Sequence, residues 1–162
     1  MNTKDVLKYG HLWVLKHVEG LSDAEWETEG VCGVWSVKEI LAHLASFEFV
    51  LVELLGELAG LDETRPTLEQ FRTMGGDEFN AVQVYRRKED TAQEVLDEYI
   101  QAYDQVMQRI DLLPGEVLRQ NGTLPWYGSE YDLEDFIVYS FYGHKREHMA
   151  QVAVYRDGLE RH

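Results

Sequence analysis

The 162-residue sequence predicts an all-α protein, a four-helix bundle, from three observations. Apolar residues recur at helical spacing in four long segments, as in helices that bury one face. Two of these segments begin with a capping box, in which Ser36 and Thr91 are each followed three residues later by Glu. No segment shows the apolar–polar alternation of a half-buried strand. A chain of this length ordinarily forms one domain, so we expect residues 1–162 to fold as a single helical-bundle domain.

The first half of the chain contains two of the long helical segments. The first covers roughly residues 4–19, and residues 21–33 after it are predicted as a loop with room for a short turn begun by Ser22. The second covers residues 36–60, begins with the clearest start signal and carries the most apolar face of the chain. Residues 61–80 then form a mixed connection with room for a short helix, and a further helical piece is expected over residues 77–87.

The second half contains the other two long segments. The third opens at Thr91 and ends at Pro114, and residues 116–131 are predicted as loop because they are rich in turn residues. The fourth begins near Asp132 and is expected to end at Gly158. Two of the connections between the four segments are long, which favours a bundle with crossover connections over one built from simple hairpins.

The charge of the chain excludes some classes of partner. The sequence has 30 Asp and Glu residues against 15 Lys and Arg, a formal net charge of −15. Nucleic acids and anionic membrane surfaces are bound chiefly through Lys and Arg. We therefore expect neither nucleic acid nor a membrane as a partner.

The sequence also bears on the cellular compartment. No basic stretch followed by an apolar run and a cleavage site marks a signal peptide. No apolar run reaches the roughly 18 residues that span a bilayer. The single cysteine, Cys32, cannot form an internal disulfide, which fits a reducing compartment. Together these observations predict a cytoplasmic protein.

Three histidines are the candidates for a metal site. His144 and His148 stand four residues apart on the fourth segment, so a helix places both imidazoles on one side. His43 lies on the apolar stripe of the second segment, between Ile40 and Phe47. Three inward imidazoles on two helices could form a facial set of nitrogen ligands whose remaining positions are open to water or substrate.

A second interpretation of these histidines stays open at this point. A histidine on an apolar face is more often a hydrogen-bonded core residue than a ligand, and His17 also falls on an inner face without belonging to the pattern. His11 and His162 are expected to be solvated. Glu147 faces away from the apolar stripe, and we expect it at the surface or behind a ligand rather than as a ligand.

A few loop residues are secondary candidates. Trp35, Trp126 and Tyr127 could line a substrate pocket at one end of the bundle, although aromatic loop residues more commonly cap a core. Cys32 lies just before the second segment, and nothing near it in sequence indicates an activated thiol.

Two short motifs resemble those of the DinB/YfiT-like superfamily. Residues 33–44, GVWSVKEILAHL, are similar to the helix start that carries an early histidine, and residues 142–151, YGHKREHMAQ, are similar to the final HxxxH helix. The stretch around Thr123–Trp126 resembles the ClbS/DfsB (DUF1706) branch. The resemblance covers most of the chain, from about residue 5 to residue 158.

The resemblance implies a fold and a site. The fold would be a four-helix bundle with up-down-down-up connectivity, and the metal ligands would be His43, His144 and His148. Members are often homodimers, and the superfamily includes transferases and isomerases that use a low-molecular-weight thiol. The ClbS branch includes a hydrolase that lacks this histidine set, so its activity is not carried over.

Three functions remain open on the sequence alone. The first is a metalloenzyme, a thiol-dependent transferase or a hydrolase that acts on a small electrophilic molecule, with zinc, nickel, iron or copper as the ion. The second is a non-catalytic small-molecule-binding or stress-response protein whose metal is structural or vestigial. The third is a helical protein without metal, in which the histidines belong to the core.

Overall fold

The computed structural model describes residues 2–160, and within that range the chain is all-helical and contains no strand. A π-helical turn at Val138–Gly143 joins two of the helices without interruption. No helix in this range is long and apolar enough to cross a membrane. The helices are α1 Thr3–Val18, α2 Asp23–Glu27, α3 Val37–Leu58, α4 Pro66–Thr73, α5 Gly76–Arg86, α6 Ala92–Ile110, α7 Gly115–Leu118, α8 Leu133–Ile137 and α9 His144–Glu160.

The four long segments correspond to α1, α3, α6 and the continuous run from α8 to α9, so the all-α prediction is confirmed. The predicted capping boxes form at the starts of α3 and α6. The Ser36 hydroxyl accepts from the backbone N–H of Glu39, whose carboxylate accepts from the N–H of Ser36, and Thr91 and Glu94 pair likewise. These local contacts satisfy N–H groups that a helix start leaves free.

The connections hold more helix than the sequence predicted. Part of the predicted loop over residues 21–33 forms α2, which has its own capping box at Ser22. α4 and α5 correspond to the short helix and the helical piece over residues 77–87 that the sequence predicted. The start of α4 is capped by a side chain of α3, because the Glu53 carboxylate accepts from the backbone N–H of Leu68 at 2.7 Å. A capping acceptor supplied by another helix cannot be found from local sequence.

The fourth segment differs from the prediction at two points. It contains the π-helical turn, and it continues past the expected stop at Gly158 to Glu160. A helix-ending glycine normally adopts positive φ, and Gly158 does not. Gly158 therefore does not end the helix, because a helix tolerates an internal glycine at a modest loss of stability.

Packing in the core positions α3 against α9, the helix that carries His144 and His148. α3 packs mainly on α6 and also contacts α2, α4, α5 and α9, while α1 packs along α9 and the π-helical turn. Gly10 lets α1 approach the π-helical turn closely, because a Cβ atom at this position would lie 2.6 Å from the carbonyl oxygen of Phe141 in that turn. α1 and α3 thus hold the start of α9 from two sides.

Candidate metal centre

The three predicted histidines meet between α3 and α9. The Nε2 atom of His144 lies 2.9 Å from Nε2 of His43 and 3.0 Å from Nε2 of His148. One nitrogen from each residue lies within 4.8 Å of the other two. His43 and His148 are buried and His144 is half-buried, so the cluster lies at the edge of the core with one side near solvent.

Three neutral imidazoles cannot make both of these Nε2–Nε2 contacts into hydrogen bonds. Nε2 of His144 has either one hydrogen or one lone pair in the ring plane, so it cannot make a good hydrogen bond with two other Nε2 atoms at once. The Nδ1 atoms of His43 and His144 are buried and make no well-formed hydrogen bond in residues 2–160, although the Asn80 side chain lies near His43 and the backbone of Ser140 lies near His144. A cation placed among the three Nε2 atoms would use all three lone pairs.

The surroundings keep two of these imidazoles neutral. Burial lowers the pKa of His43 to about 3, with further lowering from His144 and His148 and a smaller opposing effect of the Asn80 side chain. Burial also lowers the pKa of His144 to about 4, with His148 as the next cause. Neutral imidazole is the form that ligates metals, so both side chains are in the ligand state near pH 7.

The outer nitrogen of His148 has a defined partner. Nδ1 of His148 lies 2.9 Å from Oε1 of Gln151, one turn further along α9. A carbonyl oxygen only accepts, so Nδ1 carries the proton and Nε2 keeps its lone pair facing the cluster. Outer partners of this kind orient the ligands of protein metal sites.

The geometry fits a small divalent cation. Zn–N bonds of about 2.0–2.1 Å in a tetrahedron separate the nitrogen atoms by about 3.3 Å. The two short Nε2 separations, 2.9 and 3.0 Å, lie a few tenths of an ångström below this value. Small side-chain rotations would therefore accommodate an ion, and three ligands leave a position for water or substrate.

Aromatic rings and a cavity surround the cluster. The ring centroids of Trp35 and Phe47 lie 5.1 and 4.9 Å from that of His43. A cavity of about 430 Å³ opens beside His144. Its walls are formed by residues of α3, the π-helical turn and α9, namely Phe47, Tyr139, Ser140, Gly143, His144 and Glu147.

The three candidate pocket residues lie in different places. Trp35 packs against His43. Trp126 and Tyr127 pack instead on Phe136, with ring centroids 5.3 and 5.1 Å away, and Trp126 also contacts Phe71. None of the three lines the cavity beside His144.

The remaining candidates can also be placed. His11 was expected to be solvated, but it is buried, because its face of α1 packs on α6 with the imidazole stacked on the Tyr103 ring. Nδ1 of His17 contacts the Trp13 carbonyl at 2.8 Å, away from the cluster. Cys32 is half-buried in the turn before α3. Glu147 is exposed and lines the cavity, and His162 lies outside the described residues.

Sequence reasoning missed several residues around the cluster. Gln151 could have been found, because it follows His148 by three residues on one helix. Asn80 could not, because it comes from the mixed connection and reaches His43 only through the packing of α5. The pairing of Glu48 with Lys145 was also missed, since 97 positions separate these residues in the chain.

The fold and the cluster together define an all-helical protein with three histidines that could hold a metal ion. The comparison with protein families gives the same class: the family model described as DinB superfamily matches residues 14–152. The chain belongs to the DinB superfamily. No curated protein and no solved structure matches it, and its place near the ClbS/DfsB branch stays a prediction.

Proposed function

We propose that the protein is a DinB-like metalloenzyme in which His43, His144 and His148 hold one divalent ion. The reaction is a thiol-dependent transfer or a hydrolysis of a small electrophilic molecule, on a four-helix bundle of up-down-down-up connectivity. The observation that carries this proposal is the convergence of the three Nε2 atoms, which face one another and have no satisfactory arrangement of protons.

The chain provides the rest of the reaction site. The ion, when bound, lowers the pKa of a coordinated water or stabilises a thiolate as the nucleophile. Phe47 and Tyr139 supply apolar walls for the substrate, and the cavity of about 430 Å³ limits it to a small molecule. Glu147 is the carboxylate among the lining residues, and its exposed position lets it exchange protons with solvent.

Calorimetric titration of the chelator-treated protein with Zn²⁺, Ni²⁺ and Fe²⁺ tests the ligand set. We expect one ion per chain, and replacing His43, His144 or His148 by Ala should remove most of the affinity. The matched control is His17→Ala, since His17 contacts the Trp13 carbonyl and lies outside the cluster. A wild-type protein that binds none of these ions at neutral pH would disprove the proposal.

X-ray absorption spectroscopy of the metal-loaded protein separates catalysis from a structural role. Three nitrogen ligands plus exchangeable water support an enzyme, because a reaction needs an open position. A closed set of four protein ligands would contradict catalysis at the metal and would support a non-catalytic binding protein with a structural metal. Adding a low-molecular-weight thiol should replace the water by sulfur if the reaction is a thiol transfer.

A further inference from the structure

A fully buried ion pair lies close to the histidine cluster. The Lys145 ammonium forms a salt bridge with the Glu48 carboxylate, and the two side chains are 1% and 0% exposed. Within residues 2–160 no further hydrogen bond reaches either charged group. Burying two charges is unfavourable unless they remain close together, because each loses its hydration. The pair therefore depends strongly on the position of both residues.

Aromatic side chains enclose the ion pair. The Lys145 ammonium lies 5.2 Å from the centre of the Tyr99 ring and 6.0 Å from that of Tyr103. The His11 ring stacks on Tyr103 with centroids 3.7 Å apart and planes at 4°. Rings from α1 and α6 thus lie beside the ion pair, and both charged side chains are shielded from water.

The ion pair joins the two helices that carry the histidines. Glu48 follows His43 by five residues on α3, which is about 7.5 Å along a helix axis. Lys145 directly follows His144 on α9. In the part of the chain that the structure describes, the polar side-chain contacts between α3 and α9 are the His43–His144 contact and this ion pair.

We propose that Glu48 and Lys145 are positioning residues for the metal site, which set the placement of α3 against α9 so that His43 meets His144 and His148. This inference rests on the proposed function. Apolar contacts tolerate small shifts between helices, whereas a shift that separates these charges leaves two unpaired ions in the core. The pair thus restricts α3 and α9 to the placement in which the three Nε2 atoms converge.

The test compares zinc affinity and stability in the full chain. The double variant Glu48→Leu/Lys145→Met removes both charges together and leaves no unpaired ion. We expect its zinc affinity, measured by competition with a chelator, to fall about 10- to 100-fold, as for other residues that orient ligands. The melting temperature of its metal-free form should stay equal or rise, because apolar residues often replace a buried ion pair without loss of stability.

The control is another ion pair with one well-buried partner. Arg87 at the end of α5 pairs with Glu98 of α6 at 2.8 Å, and the two side chains are 7% and 31% exposed. The side-chain hydrogen bonds of Arg87 go to Glu98 and Gln83 and not to a histidine. The double variant Arg87→Met/Glu98→Leu should change zinc affinity by less than about twofold, whatever it does to stability. Equal losses of affinity in both double variants would overturn the positioning role.

A spectroscopic measurement and a milder variant complete the test. The visible spectrum of bound Co²⁺ reports coordination, and we expect the Glu48→Leu/Lys145→Met protein to lose the wild-type spectrum. Glu48→Asp keeps the charge, and it should retain more zinc affinity than the double variant. If the double variant does not fold, Glu48→Gln/Lys145→Met replaces it with the same expectation.

The outcomes separate the two proposals. Wild-type affinity and a wild-type Co²⁺ spectrum in the charge-free variant overturn the positioning role while leaving the metal site intact. A wild-type protein without zinc affinity overturns the proposed function, and the positioning role with it.

Discussion

At the scale of single residues, His11 shows how burial and charge combine. It lies on α1 against Tyr103, with Nδ1 3.4 Å from the Tyr99 hydroxyl. Burial, and next the nearby Lys145 ammonium, lower the pKa of His11 to about 3. His11 is therefore neutral in the folded protein throughout the physiological pH range, whereas a histidine in the unfolded chain titrates near about 6.5.

This difference predicts a pH-dependent stability. Below pH 6.5 the unfolded chain binds a proton at His11 that the folded protein does not, so the stability from this residue is lost as the pH falls from 6.5 towards 3. Between pH 7 and pH 5 the loss should be about 2 kcal/mol for this one group.

Urea unfolding of the metal-free protein and of His11→Gln at both pH values measures the effect. The variant should lose about 2 kcal/mol less than the wild type between pH 7 and pH 5. The other histidines are the same in both proteins, so the difference isolates His11. Identical pH dependence in the two proteins would contradict the prediction.

Gln151 carries a second prediction at this scale. Its amide oxygen holds Nδ1 of His148 at 2.9 Å and so keeps Nε2 free to ligate. Gln151→Leu should lower zinc affinity about 10- to 100-fold, less than His148→Ala does. Gln101→Leu, at an exposed position on α6, is the matched control for the same chemical change. Calorimetric titration with zinc measures the affinity of each variant. An unchanged affinity in Gln151→Leu would show that the amide does not orient His148.

At the scale of elements, the π-helical turn positions the site. It covers Val138–Gly143 and ends directly before His144, and three of its residues line the cavity. A π-helical turn adds a residue to the helical repeat and changes the direction of the side chains around it, and such turns are frequent at functional sites. The contact with Gly10 holds this turn against α1.

Gly10→Ala should disturb that contact. The added Cβ would lie 2.6 Å from the Phe141 carbonyl oxygen, a backbone atom that cannot move without shifting the turn. We expect a loss of stability of about 1–3 kcal/mol, as for other overpacked sites, and weaker zinc binding through the displaced His144.

Gly158→Ala is the control, because nothing lies within 4 Å of the Cβ position there. It should leave zinc affinity unchanged and should be neutral or stabilising by up to about 1 kcal/mol, since alanine favours a helix over glycine. Thermal unfolding and zinc titration of both variants provide the comparison. Gly10→Ala behaving like Gly158→Ala would show that the turn does not need the close contact.

At the scale of the whole molecule, we predict a homodimer. The prediction comes from the resemblance to the superfamily, and several large apolar side chains on the surface are compatible with it: Tyr9, Val34, Tyr85, Tyr139 and Val154. Analytical ultracentrifugation should find twice the chain mass of 18.8 kDa. A single species of chain mass at high protein concentration would refute the prediction.

Much of the fold was predictable because its signals are local. The starts of α3 and α6 depend on Ser36 and Thr91 and on a glutamate three residues later, and both capping boxes form as predicted. The π-helical turn, α7 and the continuation of α9 past Gly158 were not predicted. These features depend on how neighbouring helices pack, as the approach of α1 to the turn illustrates.

By itself, the sequence determined the four long helical segments and the side of α9 that carries two of the histidines, because residues four apart on one helix must share a face. It also marked His43 as inward. Only the tertiary structure decided that His43 and His144, 101 positions apart, bring their Nε2 atoms within 2.9 Å. It also decided that Glu48 of α3 pairs with Lys145 of α9. Distances between helices depend on the packing of every side chain in the core, and no local spacing encodes them.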